Sequence, residues 1–228
     1  MEAFASTAPV RVPLEHRFSP YTDNGGTTLA VAGSDFCVIA ADTRQSEGYN
    51  INTRYSPKLY PLSNGSVLAI GGMQADASTL AKRVEQRLEW YQFKHDKPMN
   101  TQAVAHMVST MLYGKRFFPY FAWVTIGGMD ENGNGCVFSF DPVGTIEKHL
   151  WQCSGSSSKL IQPFLDSQMG HKHELLPPGE LTAQRATLLV KDGFTSATER
   201  DIYTGDFLEI YTITRDGRTR ELIELKRD

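Results

Sequence analysis

The chain has 228 residues, of which 40% are apolar and 21% are charged, and its formal net charge is −3. This composition is typical of one globular α/β domain or two small ones and excludes a disordered or coiled-coil protein. The charge gives no electrostatic argument for nucleic acid, and no segment has the roughly 20 apolar residues that a membrane span needs.

The first 25 residues form a predicted N-terminal arm, which precedes a single predicted domain at residues 26–228. Pro9, Pro13 and Pro20 interrupt the arm, and charged residues break its apolar runs. A secretory signal needs a continuous apolar segment, which the arm lacks. We therefore expect an extended or irregular extension.

The sequence predicts both strands and helices. Thr27–Ala32 and Phe36–Asp42 flank a tight turn and are apolar at nearly every position, which indicates a hairpin with both faces covered. Further strands are predicted at residues 67–70, 122–126, 136–140, 145–151, 207–214 and 218–225. Apolar residues at helical spacing predict helices near residues 77–91, 101–112, 157–169 and 182–200, with Asn100 as the cap of the second.

The order of these elements favours an α+β fold. Antiparallel hairpins alternate with pairs of helices, whereas a parallel sheet would need regular βαβ units. Neither repeats nor a linker divide the predicted domain. We therefore expect a four-layer α-β-β-α sandwich, in which two antiparallel sheets lie between two helix pairs.

The three cysteines give no indication of a disulfide or a metal. Cys37, Cys136 and Cys153 are far apart and form no CxxC pair. Two lie in apolar strand-like runs and the third follows one. We expect buried, reduced thiols, as in a reducing compartment.

Other short motifs lack the partners that their chemistry needs. Residues 130–135 have a faint likeness to a calcium loop, but Asp141 stands where that loop needs a glutamate, so a hairpin turn is favoured. His171 and His173 have no third ligand at a suitable spacing, so a solvated loop is favoured. We expect no metal and no cofactor.

A series of motifs, in order along the chain, resembles the β-type subunits of the proteasome, which are N-terminal-nucleophile hydrolases. The likeness spans residues 17–228. Each motif alone is weak, whereas their order and spacing are strong. The motifs are Gly26-Thr27-Thr28-Leu29-Ala30-Val31, Ala40-Ala41-Asp42-Thr43-Arg44, Ser56-Pro57-Lys58, Gly71-Gly72, Cys153-Ser154-Gly155-Ser156 and Arg200-Asp201-Ile202-Tyr203-Thr204-Gly205. Other stretches, such as Arg17-Phe18-Ser19-Pro20-Tyr21, are most similar to the type-1 branch, which carries no peptidase site.

The resemblance implies where a nucleophile would lie. An active member frees a threonine as its first residue; the hydroxyl attacks the peptide carbonyl and the α-amine accepts the proton. The family's aspartate lies sixteen residues after that threonine and its lysine thirty-two after it. Counting back from Asp42 and from Lys58 gives residue 26 both times, and Gly26 has no hydroxyl.

The remaining site residues follow from the same resemblance. Gly72 matches the donor to the oxyanion, Ser154 and Asp201 match the supporting hydroxyl and carboxylate, and Thr204 stands where active members usually have serine. Without a nucleophile we interpret these residues as structural, and we expect Lys58 to neutralise Asp42 inside the sandwich.

The resemblance therefore implies a non-catalytic structural subunit of the 20S core β ring. Its expected partners are the other β subunits of a heteroheptameric ring, a second β ring face to face, and the α-ring subunits. Other subunits of the particle would degrade ubiquitin-tagged proteins, in the cytoplasm and nucleus. We also expect the arm to be cut near His16-Arg17 and to lie against neighbours, and the aromatic run at residues 117–121 to contribute to an interface.

Two alternatives remain open. The first is an active threonine peptidase in which processing exposes Thr27. Side chains alternate along a strand, so this hydroxyl would face the opposite side from residue 26, which disfavours activity. The second alternative is a free-standing hydrolase or binding module.

Overall fold

A computed structural model describes residues 19–171 and 181–228 of the chain. The strands, in chain order, are β1 (Thr27–Ala32), β2 (Phe36–Asp42), β3 (Gln45–Glu47), β4 (Asn50–Thr53), β5 (Leu59–Pro61), β6 (Val67–Gly72), β7 (Ala122–Met129), β8 (Gly135–Phe140), β9 (Ile146–His149), β10 (Trp151–Gly155), β11 (Phe207–Thr214) and β12 (Gly217–Glu224). The helices are α1 (Gln74–His95), α2 (Thr101–Tyr113), α3 (Ser158–Gln168) and α4 (Ala183–Thr198).

Two antiparallel five-stranded sheets lie at the centre. The first has the strand order β10-β1-β2-β11-β12 and the second has the order β5-β6-β7-β8-β9, while β3 and β4 form a separate hairpin. Thr28 pairs with Ala41 of β2 and with Ser154 of β10, so β1 has a neighbour on each side. This places the amino end of β1 well inside the first sheet.

Three buried apolar layers hold the elements together, and they establish the predicted four-layer α-β-β-α sandwich. Leu80 of α1, Val104 of α2 and Ile126 of β7 pack between the first helix pair and the second sheet. Phe194 of α4 packs against the first sheet in the layer under α3 and α4. Ile39 lies in the layer between the two sheets. The burial of strands on both faces explains their nearly continuous apolar runs.

Several local predictions are confirmed. The strands β1, β2 and β11 have the predicted bounds. The Oδ1 atom of Asn100 accepts a hydrogen bond from the N–H of Ala103 at 2.7 Å, which is the predicted cap of α2. Residues 130–135 lie in a hairpin turn, where Asp130 accepts hydrogen bonds from the N–H groups of Asn132 and Asn134.

The predicted strand at residues 145–151 is wrong. The chain forms two strands there, because β9 pairs with β8 in the second sheet whereas β10 pairs with β1 in the first. Leu150, which is 65% exposed, lies at the crossing point between the sheets. Strands β3, β4 and β5 were not predicted; they have only three or four residues each and are mostly exposed or half-buried.

All three cysteines are buried and free, as predicted. Burial raises the pKa of the Cys136 thiol to about 11 and that of the Cys153 thiol to about 12, and it also raises the pKa of Cys37. Across the described ranges, no helix is long and apolar enough to cross a membrane. His173 and the expected cut near His16-Arg17 lie outside the described residues.

Candidate functional site

Gly26 lies at the amino end of β1, directly beside Lys58 and Asp42. It is buried and has a φ of +86°, a backbone conformation that favours glycine. A Cβ atom built on Gly26 would overlap Cε of Lys58 and would lie 2.8 Å from its Nζ and 3.0 Å from Oδ1 of Asp42. A side chain at residue 26 would therefore point at the lysine and the aspartate, and Lys58 fills the space that such a side chain needs.

Lys58 and Asp42 form a buried ion pair. Nζ of Lys58 is 3.4 Å from Oδ1 of Asp42, and the two side chains are 5% and 0% exposed. Nζ also donates to the carbonyl oxygens of Asp42 at 3.0 Å and Arg44 at 2.6 Å. The contact that the sequence implies is thus present.

The surroundings of Asp42 fit a carboxylate. The N–H groups of Thr27 and Gly205 donate to its oxygens at 2.8 and 3.3 Å. Burial raises the pKa of Asp42, and the charge of Lys58 together with these N–H donors opposes the rise. Burial likewise lowers the pKa of Lys58, and the charge of Asp42 opposes the fall. Burial is thus the larger cause for both groups, and the charge of each one limits the pKa shift of the other.

Thr27 points away from this pair. Its Oγ1 is 2.7 Å from Oγ1 of Thr204, and it accepts a hydrogen bond from the N–H of Ser157 at 3.0 Å. The side chain is fully buried. The alternation of side chains along β1 explains why neighbouring residues 26 and 27 face different groups.

A cluster of hydroxyl groups surrounds Asp201. Its Oδ2 accepts hydrogen bonds from Ser156 at 2.6 Å, Ser157 at 2.5 Å and Thr204 at 2.8 Å, and its Oδ1 accepts one from the N–H of Tyr203 at 3.0 Å. Partial burial raises the pKa of Asp201, but these donors outweigh it and hold the pKa below the ordinary value of 3.8. The structure thus brings the predicted residues Asp201 and Thr204 together.

The predicted supporting hydroxyl, Ser154, requires a correction, because Ser156 takes that place. Ser154 lies within β10 and makes no hydrogen bond to Asp201 or Thr204. Ser156 lies just beyond the strand, where its N–H donates to the carbonyl oxygen of Gly26 at 3.0 Å. The chain turns at Gly155, which has a φ of +100°, and this turn carries Ser156 towards Asp201.

Ser157, which the sequence analysis also missed, is the residue before α3. Serine is a favoured residue at that position of a helix. The run of serines at residues 156–158 could therefore have indicated that a hydroxyl-bearing residue precedes α3.

A cavity of about 460 Å³ opens beside Gly26. Its lining includes Gly72, Trp123, Ser154 and Ser156. Gly72, the predicted oxyanion donor, ends β6 with a φ of +104°, and a Cβ atom there would lie 2.5 Å from the carbonyl oxygen of Phe121. A residue with a Cβ atom does not fit at position 72. Backbone atoms of Gly72 therefore form this part of the cavity wall. Within the described ranges, no group of His, Cys, Asp or Glu side chains is placed to hold a metal ion.

The family model and the similar known proteins all point to the same family. The sequence pattern described as "Proteasome subunit" matches residues 22–213. The chain is 49% identical over 217 residues to the proteasome subunit beta type-1 of Danio rerio, across 95% of this chain and 92% of that protein. It is 44% identical over 233 residues to the proteasome subunit beta type-6 of Saccharomyces cerevisiae, across 98% and 97% of the two chains. The beta type-1 subunit of Arabidopsis thaliana is 49% identical over 216 residues, across 92% and 97%.

Proposed function

Because this chain belongs to the proteasome subunit family, we propose that it is a non-catalytic structural subunit in the β ring of the 20S core particle. In that ring it helps to enclose the chamber in which other β subunits degrade ubiquitin-tagged proteins. Its partners are the neighbouring β subunits of a heteroheptameric ring, the second β ring and the α-ring subunits. The particle acts in the cytoplasm and nucleus, and this subunit needs no cofactor.

The observation that carries the proposal is the place of Gly26. Residue 26 faces Lys58 and Asp42, the two groups that would lower the cost of forming an alkoxide. A hydrogen atom stands there in place of a hydroxyl. Acyl transfer has no nucleophile from which to start, although the supporting residues are present.

The orientation of Thr27 counts against the alternative of an active peptidase. Its hydroxyl contacts Thr204 and Ser157, on the other side of the strand from Lys58. Its nitrogen donates to Asp42 as a peptide N–H, so no free amine is available to accept a proton. Cleavage after Gly26 would free that amine and leave the hydroxyl on the same face.

The experiment is to treat assembled particles with an electrophile that reacts with N-terminal threonine, and then to weigh each subunit. We expect adducts on the active subunits, which serve as the internal positive control, and an unmodified mass for this chain. An adduct on Thr27 would contradict the proposal and support the peptidase. Recovery of this chain only as a stable monomer would contradict its place in the ring.

A further inference from the structure

The chain contains four Asn-Gly pairs, and their surroundings in the fold differ. The pairs are Asn24-Gly25, Asn64-Gly65, Asn132-Gly133 and Asn134-Gly135. We propose that Asn132-Gly133, in the turn between β7 and β8, is a site of spontaneous deamidation and that Arg215 promotes the reaction. The product is aspartate or isoaspartate at residue 132, and an isoaspartate is a substrate for enzymes that methylate isoaspartyl carboxyl groups.

Deamidation of such a pair needs no reagent but water. The backbone nitrogen of Gly133 loses its proton and attacks Cγ of Asn132; an N–Cγ bond forms, the Cγ–Nδ2 bond breaks, and ammonia leaves. Water then opens the resulting succinimide ring at one of its two carbonyl carbons. Opening at the side-chain carbonyl gives aspartate, whereas opening at the main-chain carbonyl gives isoaspartate. Glycine favours the attack because it has no side chain to hinder it.

The asparagines of the first two pairs are held in place. Oδ1 of Asn24, a buried residue, accepts a hydrogen bond from the N–H of Gln74 at 2.8 Å. Nδ2 of Asn64 donates to the carbonyl oxygen of Met99 at 3.0 Å. Oδ1 of Asn64 accepts from the N–H and the hydroxyl of Ser66 at 3.2 and 2.7 Å. Neither side chain can turn its Cγ towards the following glycine until these bonds break.

The last pair is restrained at both residues. Nδ2 of Asn134 donates to Oδ2 of Asp130 at 3.3 Å. Gly135 is the first residue of β8, and its N–H donates to the carbonyl oxygen of Gly33 at 3.0 Å. A Cβ atom on Gly135 would overlap the carbonyl oxygen of Phe36. The backbone nitrogen of Gly135 is therefore fixed by contacts with another part of the chain.

Asn132 lacks such restraints on its side chain. It is exposed, and among the residues that the structure describes its side-chain amide has no hydrogen-bond partner. The N–H of Gly133 donates to the carbonyl oxygen of Asp130 at 3.0 Å, within the turn. The N–H groups of the other three glycines are hydrogen-bonded as well, so this bond does not distinguish the pairs. The freedom of the Asn132 amide does.

Arg215 binds the peptide group that reacts. Its Nη2 donates to the carbonyl oxygen of Asn132, and its Nε donates to the carbonyl oxygen of Gly133 at 3.4 Å. The carbonyl oxygen of Asn132 and the nitrogen of Gly133 belong to one peptide group, so loss of the proton places negative charge on both atoms. A guanidinium that is hydrogen-bonded to this oxygen stabilises the charged form. Arg215 therefore favours formation of the attacking nitrogen anion.

The same contacts connect the two sheets. Arg215 lies in the turn between β11 and β12 of the first sheet, whereas Asn132 lies in the turn between β7 and β8 of the second. An isoaspartate adds a methylene group to the main chain here and a carboxylate beside Asp130 and Glu131. Modification thus alters a contact between the sheets. The inference does not depend on the proposed function, because the site at Gly26 takes no part in it.

The test follows deamidation of the full chain at mildly alkaline pH, which favours loss of the amide proton. Digestion and mass spectrometry measure the rate at each Asn-Gly pair. We expect Asn132 to react about tenfold faster than the other three asparagines, because those must first break hydrogen bonds. In the urea-unfolded chain we expect similar rates at all four pairs. Equal rates in the folded chain, or a faster reaction at another pair, would overturn the site.

Isoaspartate is measured with an isoaspartyl methyltransferase and labelled S-adenosylmethionine. We expect label on the incubated, unaltered chain and a loss of most of it in Asn132→Gln, since the longer glutamine side chain forms its ring much more slowly. Equal labelling of the two chains would overturn the assignment to residue 132.

The role of Arg215 is tested with Arg215→Met, whose fold is checked by circular dichroism. We expect deamidation at Asn132 to be about tenfold slower than in the unaltered chain. The matched control is Arg227→Met, which removes an arginine that pairs with Glu224 instead, and we expect no change.

Arg215 also covers Gly133, so an arginine that only shielded this glycine would slow the reaction, and its removal would speed it. A rate in folded Arg215→Met equal to or above that of the unaltered chain would therefore overturn the promoting role. If Arg215→Met does not fold, Arg215→Lys keeps the charge and loses the paired hydrogen bonds. We then expect a smaller decrease, and an unchanged rate would contradict the proposal.

Discussion

At the scale of single residues, the main feature of the site is the close approach of the Lys58 side chain to Gly26. The lysine side chain occupies the position of a Cβ atom on residue 26, and its Nζ is held by two carbonyl oxygens and a carboxylate. A hydroxyl at residue 26 would have to displace that lysine. Lys58 therefore occupies the space that a side chain on residue 26 would need.

The Gly26→Thr variant is expected to remain inactive and to lose stability. Threonine is β-branched and disfavours a φ of +86°, and its Cβ would overlap Lys58. We expect a loss of about 1–3 kcal/mol in the free energy of unfolding, measured by chemical denaturation. Gly26→Ala is the control that separates backbone strain from the hydroxyl. Reaction of Gly26→Thr with the threonine-directed electrophile would contradict this account.

Lys58→Met is expected to be strongly destabilising. It leaves the carboxylate of Asp42 buried with no compensating charge, a change that costs about 3–5 kcal/mol in buried pairs. Urea denaturation of the purified chain measures the loss. The control is the double variant Asp42→Asn/Lys58→Met, which removes both charges and should lose less. Undiminished stability of Lys58→Met would show that the pair is unimportant.

The depressed pKa of Asp201 predicts that the folded chain loses stability as the pH falls. Its pKa is depressed in the folded chain, so its contribution to stability is complete above 3.8, the ordinary pKa, and is lost as the pH falls through the folded value. Ser157→Ala removes one donor to Asp201 and should reduce the dependence of unfolding free energy on pH below about pH 4. Thermal unfolding between pH 2 and 5 measures it. Identical slopes in both chains would contradict the role of the hydroxyl cluster.

The site residues were implied by the resemblance to the family, in which the aspartate and the lysine stand at fixed distances from the nucleophile position. Asp42 and Lys58 each point to residue 26 by a simple count, and the structure places both beside it. Ser154 was not placed correctly, because two serines two residues apart fit the same motif. The turn at Gly155, which selects Ser156, depends on contact with Gly26 and is invisible in local sequence.

At the scale of elements, α2 depends on its amino-terminal cap. Asn100 accepts the N–H of Ala103, one of the donors that a helix leaves unsatisfied. We expect Asn100→Ala to cost about 1 kcal/mol of folding free energy, measured by denaturation. Asn100→Asp keeps the acceptor and should lose less. An equal loss in both variants would assign the effect to the contact between Nδ2 of Asn100 and Glu131.

The boundary between β9 and β10 shows what local patterns leave out. Residues 145–151 read as one strand because nothing in the composition of the run marks a break. The break exists because the chain passes from one sheet to the other near Leu150. Such a crossing is determined by distant partners, so periodicity within the segment does not reveal it. Long strands buried on both faces, such as β1 and β2, were predicted with correct bounds because their apolar runs are strong.

At the scale of the whole molecule, the four-layer sandwich was predictable because pairs of helices alternate with groups of strands along the chain. The sequence did not show which helix pair covers which sheet, because that depends on contacts between residues far apart in the chain. Large apolar side chains remain exposed on both helical layers, including Trp90 and Phe93 on α1, Leu160 on α3 and Leu188 on α4. Aromatic side chains such as Trp90 and Phe93 are enriched at protein–protein contacts, which supports the proposed place in a ring.

The central claim is that residue 26 offers no nucleophile and that the bond to Thr27 is never cut. Mass spectrometry of the chain isolated from assembled particles, with sequencing of its first residues, tests this claim directly. We expect a chain that starts before residue 19, near Arg17, and that retains Gly26 joined to Thr27. A mature chain that starts at Thr27 would contradict the structural role.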